Sequence, residues 1–574
     1  MTLLLDAPHR APRCPRTRAI PRARLFLLAL TLLVTTFCWW ARGRGYVHAI
    51  KRRIFPAAVV EQPPRVVVSQ PPDGATDVML DTVVTADIAS TAGIEPTSIT
   101  AGTVLLIRTC DQTVVPSSAP ACRANQLELR PARPLEPGTN YTFYVAPGLK
   151  DKAGRPVAPY AIGFSTAAPA DPVVRFEQVP QATSRDVGFT CLQVGPDGQL
   201  YASSDDGRIL RFPIAPDGTL GKPQIIESLR RAEGGPRLLT GFCFDPASTA
   251  DNPIIWASHG FYGFANAPDW SGKITRISGT NLEHVQDAVI NLPRSARDHL
   301  TNQPSFGPDG ALYIPQGSNT AFGGADPEWS HRPERLLSAS ILRFDVRRTS
   351  ANPPLDARTP DGGGHYDPYA TDAPLTIYAA GVRLAYDLVW ADDGHLYVPT
   401  NGSAAGGNAP GPQPLLRIPM SEDDWLFRIV PGKYFGHPNP QQGHFVLNGG
   451  NPTAEYDFAE TPQYPVGTLP EPDWVPAVHS FGKHASANGI IQYKGDVFRG
   501  ALCGKLLVCR YNVPGDLAVL HINGDGTIKP AATRIAGFTD LSNPLDLCEH
   551  PRTGSIYVSE YGARRITLLR PAPH

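Results

Sequence analysis

The chain has 574 residues, with 53 Gly, 60 Pro and 18% charged residues, so it is too long for one ordinary domain and favours many turns and short strands over long helices. Its formal charge of −1 hides an asymmetry: residues 1–53 carry 11 Lys/Arg and one acidic residue, leaving 41 basic against 52 acidic residues beyond. That negative remainder, with no basic patch interleaved with aromatics, argues against nucleic acid as a partner.

In chain order, residues 1–24 are rich in Arg and Pro and read as an unstructured, basic cytoplasmic tail. Leu25 to Ala41 is an uncharged run of 17 residues, at the short end for a spanning helix. Trp39 and Trp40 stand at its exit, where indoles favour the membrane interface. A cleaved signal peptide is the competing reading, but Arg42-Gly43-Arg44-Gly45 offers no small-residue cleavage site. The run is therefore expected to stay as a transmembrane signal anchor, followed by a linker over residues 42–64. Arg residues flank it nearly evenly, so positive-inside counting leaves its orientation open.

Cysteine usage speaks to the compartment. Of nine cysteines, Cys110 and Cys122 bracket a Pro/Ser-rich loop and are placed to close a hairpin. Cys503 and Cys509 form a second candidate pair across an apolar strand, and Cys191, Cys243 and Cys548 leave an odd thiol. No C-x-x-C zinc or haem spacing occurs. This pattern favours an oxidising compartment, so the bulk of the chain is expected on the extracytoplasmic side, periplasmic or at the cell surface.

Residues 65–168 show short alternating strands with turn signals about every eight to twelve residues, the pattern of a β-sandwich. The stretches LEPGTNYTFYV, LKDKAGRPV and the closing FST resemble the bacterial Ig-like domains of exported proteins, which implies a spacer or adhesive arm.

Beyond residue 172 one unit recurs. It is clearest at Asp298 to Gly317, DHLTNQPSFGPDGALYIPQG, where a Pro-Asp-Gly turn joins two apolar strands. Copies begin at Phe189, Phe242 and Tyr386, and weaker ones at Ala487 and Leu545. Short basic strands follow several copies: GRILRF from Gly207, GKITRI from Gly272, ILRFDV from Ile341 and ARRITLLR from Ala563. Strand, turn, strand, loop, strand, repeated six times, predicts a six-bladed β-propeller over residues 172–571. The fold class expected is thus all-β: a propeller preceded by an Ig-like sandwich and an N-terminal membrane helix. A pair of β-sandwiches with chance turn similarity is the alternative.

The stretches LLTGFCFDP, DHLTNQPSFGPDGALYIPQG, SILRFD, IYAAGVRLAYDLVWADDGHLYVPTNGS, PGKYFGHPNP and HASANGIIQY, in this order, resemble the glucose/sorbosone dehydrogenase family. Its members are six-bladed propellers using pyrroloquinoline quinone (PQQ) and calcium. The resemblance implies a membrane-tethered oxidoreductase acting on a sugar or related alcohol, with a histidine as general base and hydride transfer to the quinone. Imidazole suits the role because its pKa lies near working pH, and His299 stands where the family keeps its catalytic histidine. Arg383, in GVRLAYDL, matches the arginine the family sets against the quinone. Asn401, Gly402 and Ser403 match the loop that coordinates the active-site ion through a side-chain amide and main-chain carbonyls, with Ser in place of a typical Pro.

The departures are as telling. Pro236 and Arg237 replace a Gln, Leu384 replaces the Asn after the arginine, Asn512 falls near a missing Lys, and SNPLDL lacks a pair of arginines. Arg237 and Arg510 are then the candidate substitute cations for the cofactor carboxylates. Two other classes follow if the cofactor is gone: a non-catalytic propeller binding glycan or protein, and a calcium-dependent lactonase or other hydrolase. Few acidic residues fall on the strands leading each blade, Asp387 and Asp546 being the exceptions, which weighs against the hydrolase.

Overall fold

The structure, a computed structural model, describes residues 63–167, 174–348, 354–453, 459–530 and 535–572. The expected tail and anchor lie outside the described residues, as does the expected linker up to residue 62. Among the described residues no helix is long and apolar enough to cross a membrane. They are all-β apart from one short α-helix, Ser228–Ala232, and a few 3-10 turns.

Residues 65 to 166 make two facing sheets. One orders Arg65–Gln70, Val84–Ala89, Gln126–Leu129 and Ala121–Arg123; the other orders Ala75–Val78, Tyr160–Thr166, Asn140–Val145, Val104–Arg108 and Thr113–Val114. The alternating pattern of Val84–Ala89 turns Val84, Ala86 and Ile88 inward, where they meet Leu106, Leu127 and Phe143 in a single core. The hairpin expected to be closed by Cys110 and Cys122 does not exist as such. Cys110 follows a strand of the second sheet while Cys122 lies on the first, because the Pro-rich loop crosses between sheets. All seven described cysteines are free thiols. Cys503 is exposed and Cys509 is buried between blades, so that pairing also fails.

From Phe176 onward the described strands form six sheets. Their inner strands are Phe189–Val194, Arg237–Phe244, Ser305–Phe306, Val389–Trp390, Ala487–Gln492 and Pro544–Glu549, here called blades 1 to 6. The last blade is completed by the first strand of this region: Phe176–Pro180 pairs antiparallel with Arg565–Pro571 as its outer edge. One apolar cluster fills each gap between successive blades. Leu239 of blade 2 packs with Tyr201 of blade 1, Ile314 of blade 3 with Trp256 of blade 2, and Val398 of blade 4 with Ile341 of blade 3. Val508 of blade 5 packs with Tyr397 of blade 4, Leu547 of blade 6 with Leu507 of blade 5, and Leu568 of blade 6 with Phe189 of blade 1. The ring is therefore closed through its cores as well as through its edge strand.

The recurring turn has a physical basis. In blades 1 and 3 the glycine adopts the left-handed conformation, Gly198 at φ 73° and Gly310 at φ 75°. The preceding Asp accepts from the backbone two residues on, Asp197 from Gln199 N and Asp309 from Ala311 N, each at 3.1 Å. The same carboxylates accept from Tyr201 and Tyr313 on the next strand and pair with Arg211 and Arg343 on the third. An Asp in the turn thus ties three strands of one blade.

Polar groups also brace the axis. Tyr386, on the approach to blade 4, reaches across it and places its hydroxyl 2.6 Å from Thr190 O of blade 1 and 2.9 Å from Thr240 O of blade 2. Asp387 accepts from Ile490 N of blade 5, and Asp546 of blade 6 accepts from Leu192 N of blade 1. Tyr386→Phe strands two interior carbonyls and is expected to lower unfolding free energy by about 1–3 kcal/mol. Urea unfolding with an unchanged m-value measures this.

Candidate active site

Loops entering blades 3 and 4 carry His299 and Arg383 to the same end of the ring, the end at which the inner strands begin. His299 is 2% exposed. Its Nδ1 lies 3.0 Å from Ser318 O and 2.9 Å from Ser318 Oγ. A carbonyl only accepts, and Ser318 Oγ donates to Thr320 O, so the imidazole proton sits on Nδ1. Nε2 then holds a free lone pair. It has no hydrogen-bond partner among the described residues, yet it is not one of the side-chain atoms sealed from solvent. Burial, reinforced by the charge of Arg383, pushes the His299 pKa well below 6.5, so the ring is neutral at physiological pH.

Arg383 is buried and carries no direct ion pair among the described residues. Its Nε donates to Ala321 O at 3.0 Å, and Nη1 donates to Asn401 O at 3.1 Å and Gly402 O at 3.0 Å. Nη2 is without a partner among the described residues. Burial lowers the guanidinium pKa, while Glu422, Asp298 and Asp424 oppose that through space.

Trp329 joins the two. Its ring centre lies 4.4 Å from the His299 ring and 5.9 Å from the Arg383 guanidinium carbon, and a second cation, Arg297, stands 5.7 Å from it. The indole is fixed by the 3-10 turn Pro327–Trp329, capped by Asp326, whose Oδ1 accepts from Trp329 N. Phe322, Ile418, Leu447 and Tyr464, from the long loops of blades 3 and 4, pack around it as an apolar cap. Behind Ser318, the buried Glu334 carboxylate accepts from Asn319 N, Thr320 N, Ser338 Oγ and His437 Nε2. Burial alone would raise its pKa, but His437 and these donors hold it below the ordinary value.

Asn401 and Gly402 join this cluster through the Arg383 bonds, and Ser403 follows them in the same loop. Gly402 N donates to Asp424 Oδ1 at 2.8 Å and Ser403 N to Glu422 Oε2 at 3.0 Å. Asn401 donates to Asn488, and its own Oδ1 is buried without a partner. Arg237 and Arg510 share no partner with the cluster. Arg237 donates to His259 Nδ1 and Ser271 O, beside a Glu233–His259–Asp287 group of metal-ligand type. Lys273 bridges Glu233 and Asp287 there at 2.6 and 2.8 Å, meeting their charge without an ion. Arg510 forms a two-bond fork with Asp516. Trp329, Arg297, Ser318, Glu334 and His437 were not singled out from sequence. His437 lies within PGKYFGHPNP, but nothing in the spacing of Trp329 or Glu334 marks them as neighbours of His299.

The geometry tests the implied cofactor. A planar tricarboxylate quinone finds two cations at Trp329, the open Nη2 edge of Arg383 and the exposed Arg297, whose ion pair with the exposed Glu328 is readily exchanged. Calcium fits less well. The carbonyls of Asn401 and Gly402 already accept from a guanidinium, which places positive charge where the ion would have to stand.

Buried carboxylates nearby give stability a pH dependence. Burial raises Asp423 to about 6 and Asp424 to about 7. Burial also raises Asp387, as it does Asp546, which the Asp387 charge raises further. A raised pKa contributes stability that is fully present below the unfolded value of 3.8 and is lost as pH rises through 6 to 7. The depressed histidines His259, His299 and His479 act oppositely, contributing above 6.5 and losing that contribution as pH falls. Above 6.5 these three histidines are already neutral in the folded state while Asp387 and Asp424 still lose protons, so the thermal midpoint is expected to fall between pH 6.5 and about pH 8. Melting curves in matched buffers check the sign.

Comparison with known proteins gives two family-model matches. Residues 60–166 match the family model described as a bacterial Ig-like domain. Residues 192–212, in blade 1, match part of the strictosidine synthase-like N-terminal model. A search of curated proteins gives no match. Among solved structures the chain is similar to the PQQ-bound aldose sugar dehydrogenase of Streptomyces coelicolor, at 18% identity over 69% of this chain and 98% of that one, TM-score 0.43. It is similar also to the holo PQQ domain of pyranose dehydrogenase from Coprinopsis cinerea, at 12% identity over 69% and 97%, TM-score 0.46. Over 19% of this chain and 97% of the other it is similar to CopC from Methylosinus trichosporium OB3b, at 14% identity and TM-score 0.16. The six-blade ring rests on strand pairing and blade cores, not on these likenesses.

Proposed function

We propose that the propeller is an oxidoreductase that takes a proton from the hydroxyl of a sugar or related alcohol, with His299 as general base. The observation that carries this is the state of His299: Nδ1 is tied to Ser318, the ring is neutral, and the Nε2 lone pair is open beside Arg383. An imidazole so held orients its lone pair without reorganisation at the moment of transfer. Trp329 and the apolar cap exclude water from one side of the ring. Arg383 and Arg297 would hold the carboxylates of PQQ, which when bound supplies the two-electron acceptor. The extracytoplasmic location, with Leu25 to Ala41 as tether, belongs to the same proposal; reporter fusions placed after residue 60 that work only in the cytoplasm would contradict it.

A second reading, a propeller that binds a neutral glycan or a protein without turning it over, is favoured by one feature. Asp298, Glu422 and Asp424 surround Arg383, and its Nη1 covers the carbonyls an ion would need. Titrating the full chain with PQQ, followed by quenching of indole fluorescence, separates the two. We expect micromolar binding that is equally strong in calcium and in EDTA. Absence of quinone binding in both favours the second reading.

A further inference from the structure

The sandwich and the propeller meet along the outer strand of blade 4, His479–Lys483, which packs against Asn140–Val145 and Tyr160–Thr166. A cavity of about 530 Å³ lies at this junction, lined from both sides by residues including Asn140, Ser165, His479, Phe481 and Arg510. A second, of about 300 Å³, shares Asn140, Ser165, Phe481 and Arg510 with it, so the two form one cleft. The first alone is large enough for a small-molecule ligand.

Several polar side chains of this cleft, His479, Asn140 and Ser165, have no side-chain hydrogen bond among the described residues. His479 is 5% exposed, yet among the described residues neither ring nitrogen has a hydrogen-bond partner. Neither nitrogen is sealed from solvent, so both open toward the cleft that the residue lines. A buried polar group without a partner is costly unless something meets it. Burial and the nearby Arg510 keep the ring neutral, with a pKa lowered to about 3, so it offers one donor and one acceptor. The Asn140 amide and Ser165 hydroxyl face the same space and make no side-chain hydrogen bond among the described residues. Arg510 is neutralised by its fork to Asp516 through Nε and Nη2, leaving Nη1 as a further donor. Apolar surface comes from Phe481, whose ring stands edge-on to His479 at 4.9 Å, and from Val519 and Ile535.

Mixed donors and acceptors beside an apolar wall suit a ring that carries hydroxyls on its rim and C–H groups on its faces. With Arg510 already matched by Asp516, and with Asp77 and Asp540 also on the wall, the field disfavours an anion. From this we infer that the cleft between sandwich and propeller is a binding site for a neutral saccharide of one or two rings, separate from the His299 site and independent of whether that site oxidises anything.

The test uses the full chain carrying His299→Ala and a panel of neutral mono- and disaccharides with the corresponding uronic acids, followed by calorimetry. At least one neutral saccharide is expected to bind. Adding His479→Phe, which keeps an aromatic ring but removes both nitrogens, or Asn140→Ala, on the partly exposed sandwich wall, is expected to weaken it about tenfold. The inference is overturned if no neutral saccharide binds at millimolar concentration, if only the uronic acids bind, or if both added variants leave affinity unchanged.

Discussion

With His299 replaced by alanine, quinone-dependent sugar oxidation is expected to fall by about 10²- to 10⁴-fold, the usual contribution of a positioned general base. No other neutral nitrogen among the described residues combines an open lone pair with contact to Trp329 and proximity to Arg383. The pH profile distinguishes this from simple loss of packing. Because burial and Arg383 keep the imidazole pKa well below 6.5, kcat/KM of the native protein should show no acid limb near 6.5. An ordinary limb there would mean that His299 is solvated, or that another group takes the proton. Thermal melts of His299→Ala and His299→Gln show whether the fold survives the change.

Arg383→Ala is expected to produce the larger structural effect, a loss of several kcal/mol in unfolding free energy, since hydrogen bonds from a charged donor contribute about 1.5–3 kcal/mol each. It removes three hydrogen bonds to the carbonyls of Ala321, Asn401 and Gly402 and leaves Glu422 and Asp424 without their through-space partner. Arg383→Lys should recover part of this, since the charge remains while the planar group that reaches Ala321 O through Nε and the other two carbonyls through Nη1 is lost. The substitution also opens a site. With the guanidinium gone, the carbonyls of Asn401 and Gly402, the unpartnered Oδ1 of Asn401 and the nearby Asp424 form an oxygen-rich pocket suited to a hard cation. Calcium should therefore raise the melting temperature of Arg383→Ala and leave that of the native protein unchanged at this loop. Equal shifts in both would show that Arg383 does not stand in for an ion.

The blade repeat was legible because its physics is local. Pro-Asp-Gly and Asp-Asp-Gly turns, an aromatic on the following strand and a basic third strand are all short-range signals, and the copies beginning at Phe189, Asp298 and Tyr386 fall on the first two strands of their blades. GRILRF, GKITRI and ARRITLLR are third strands, as read. The closing strand Phe176–Pro180 was not legible, because it pairs with residues 565–571 at the far end of the chain and carries no turn signal of its own. The candidate site divides the same way. His299 and Arg383 could be singled out by resemblance, whereas Trp329 and Glu334 come from an insertion whose path only the tertiary structure reveals. The cysteine pairing failed for a related reason: Cys110 and Cys122 are close in sequence, but the loop between them changes sheets.

The architecture explains why such a site can be rebuilt without loss of the ring. Blade cores are made by strands and the axis is braced by Tyr386 and Asp387 just ahead of one, while His299, Arg383, Asn401 and Trp329 all sit on loops at one end. Substituting a clamp residue there leaves interblade packing untouched, which is how a propeller can keep its fold while its ligand changes.

The most direct test of the central claim is dye reduction by the full chain over a panel of aldoses, with PQQ at saturation, compared between the native protein and His299→Gln at matched quinone occupancy. Turnover that is present in the native protein and lost in the variant, while quinone affinity stays the same, is the result predicted for His299 as the base. Turnover that is equal in both, or absent from a native protein that has bound the quinone, would contradict it.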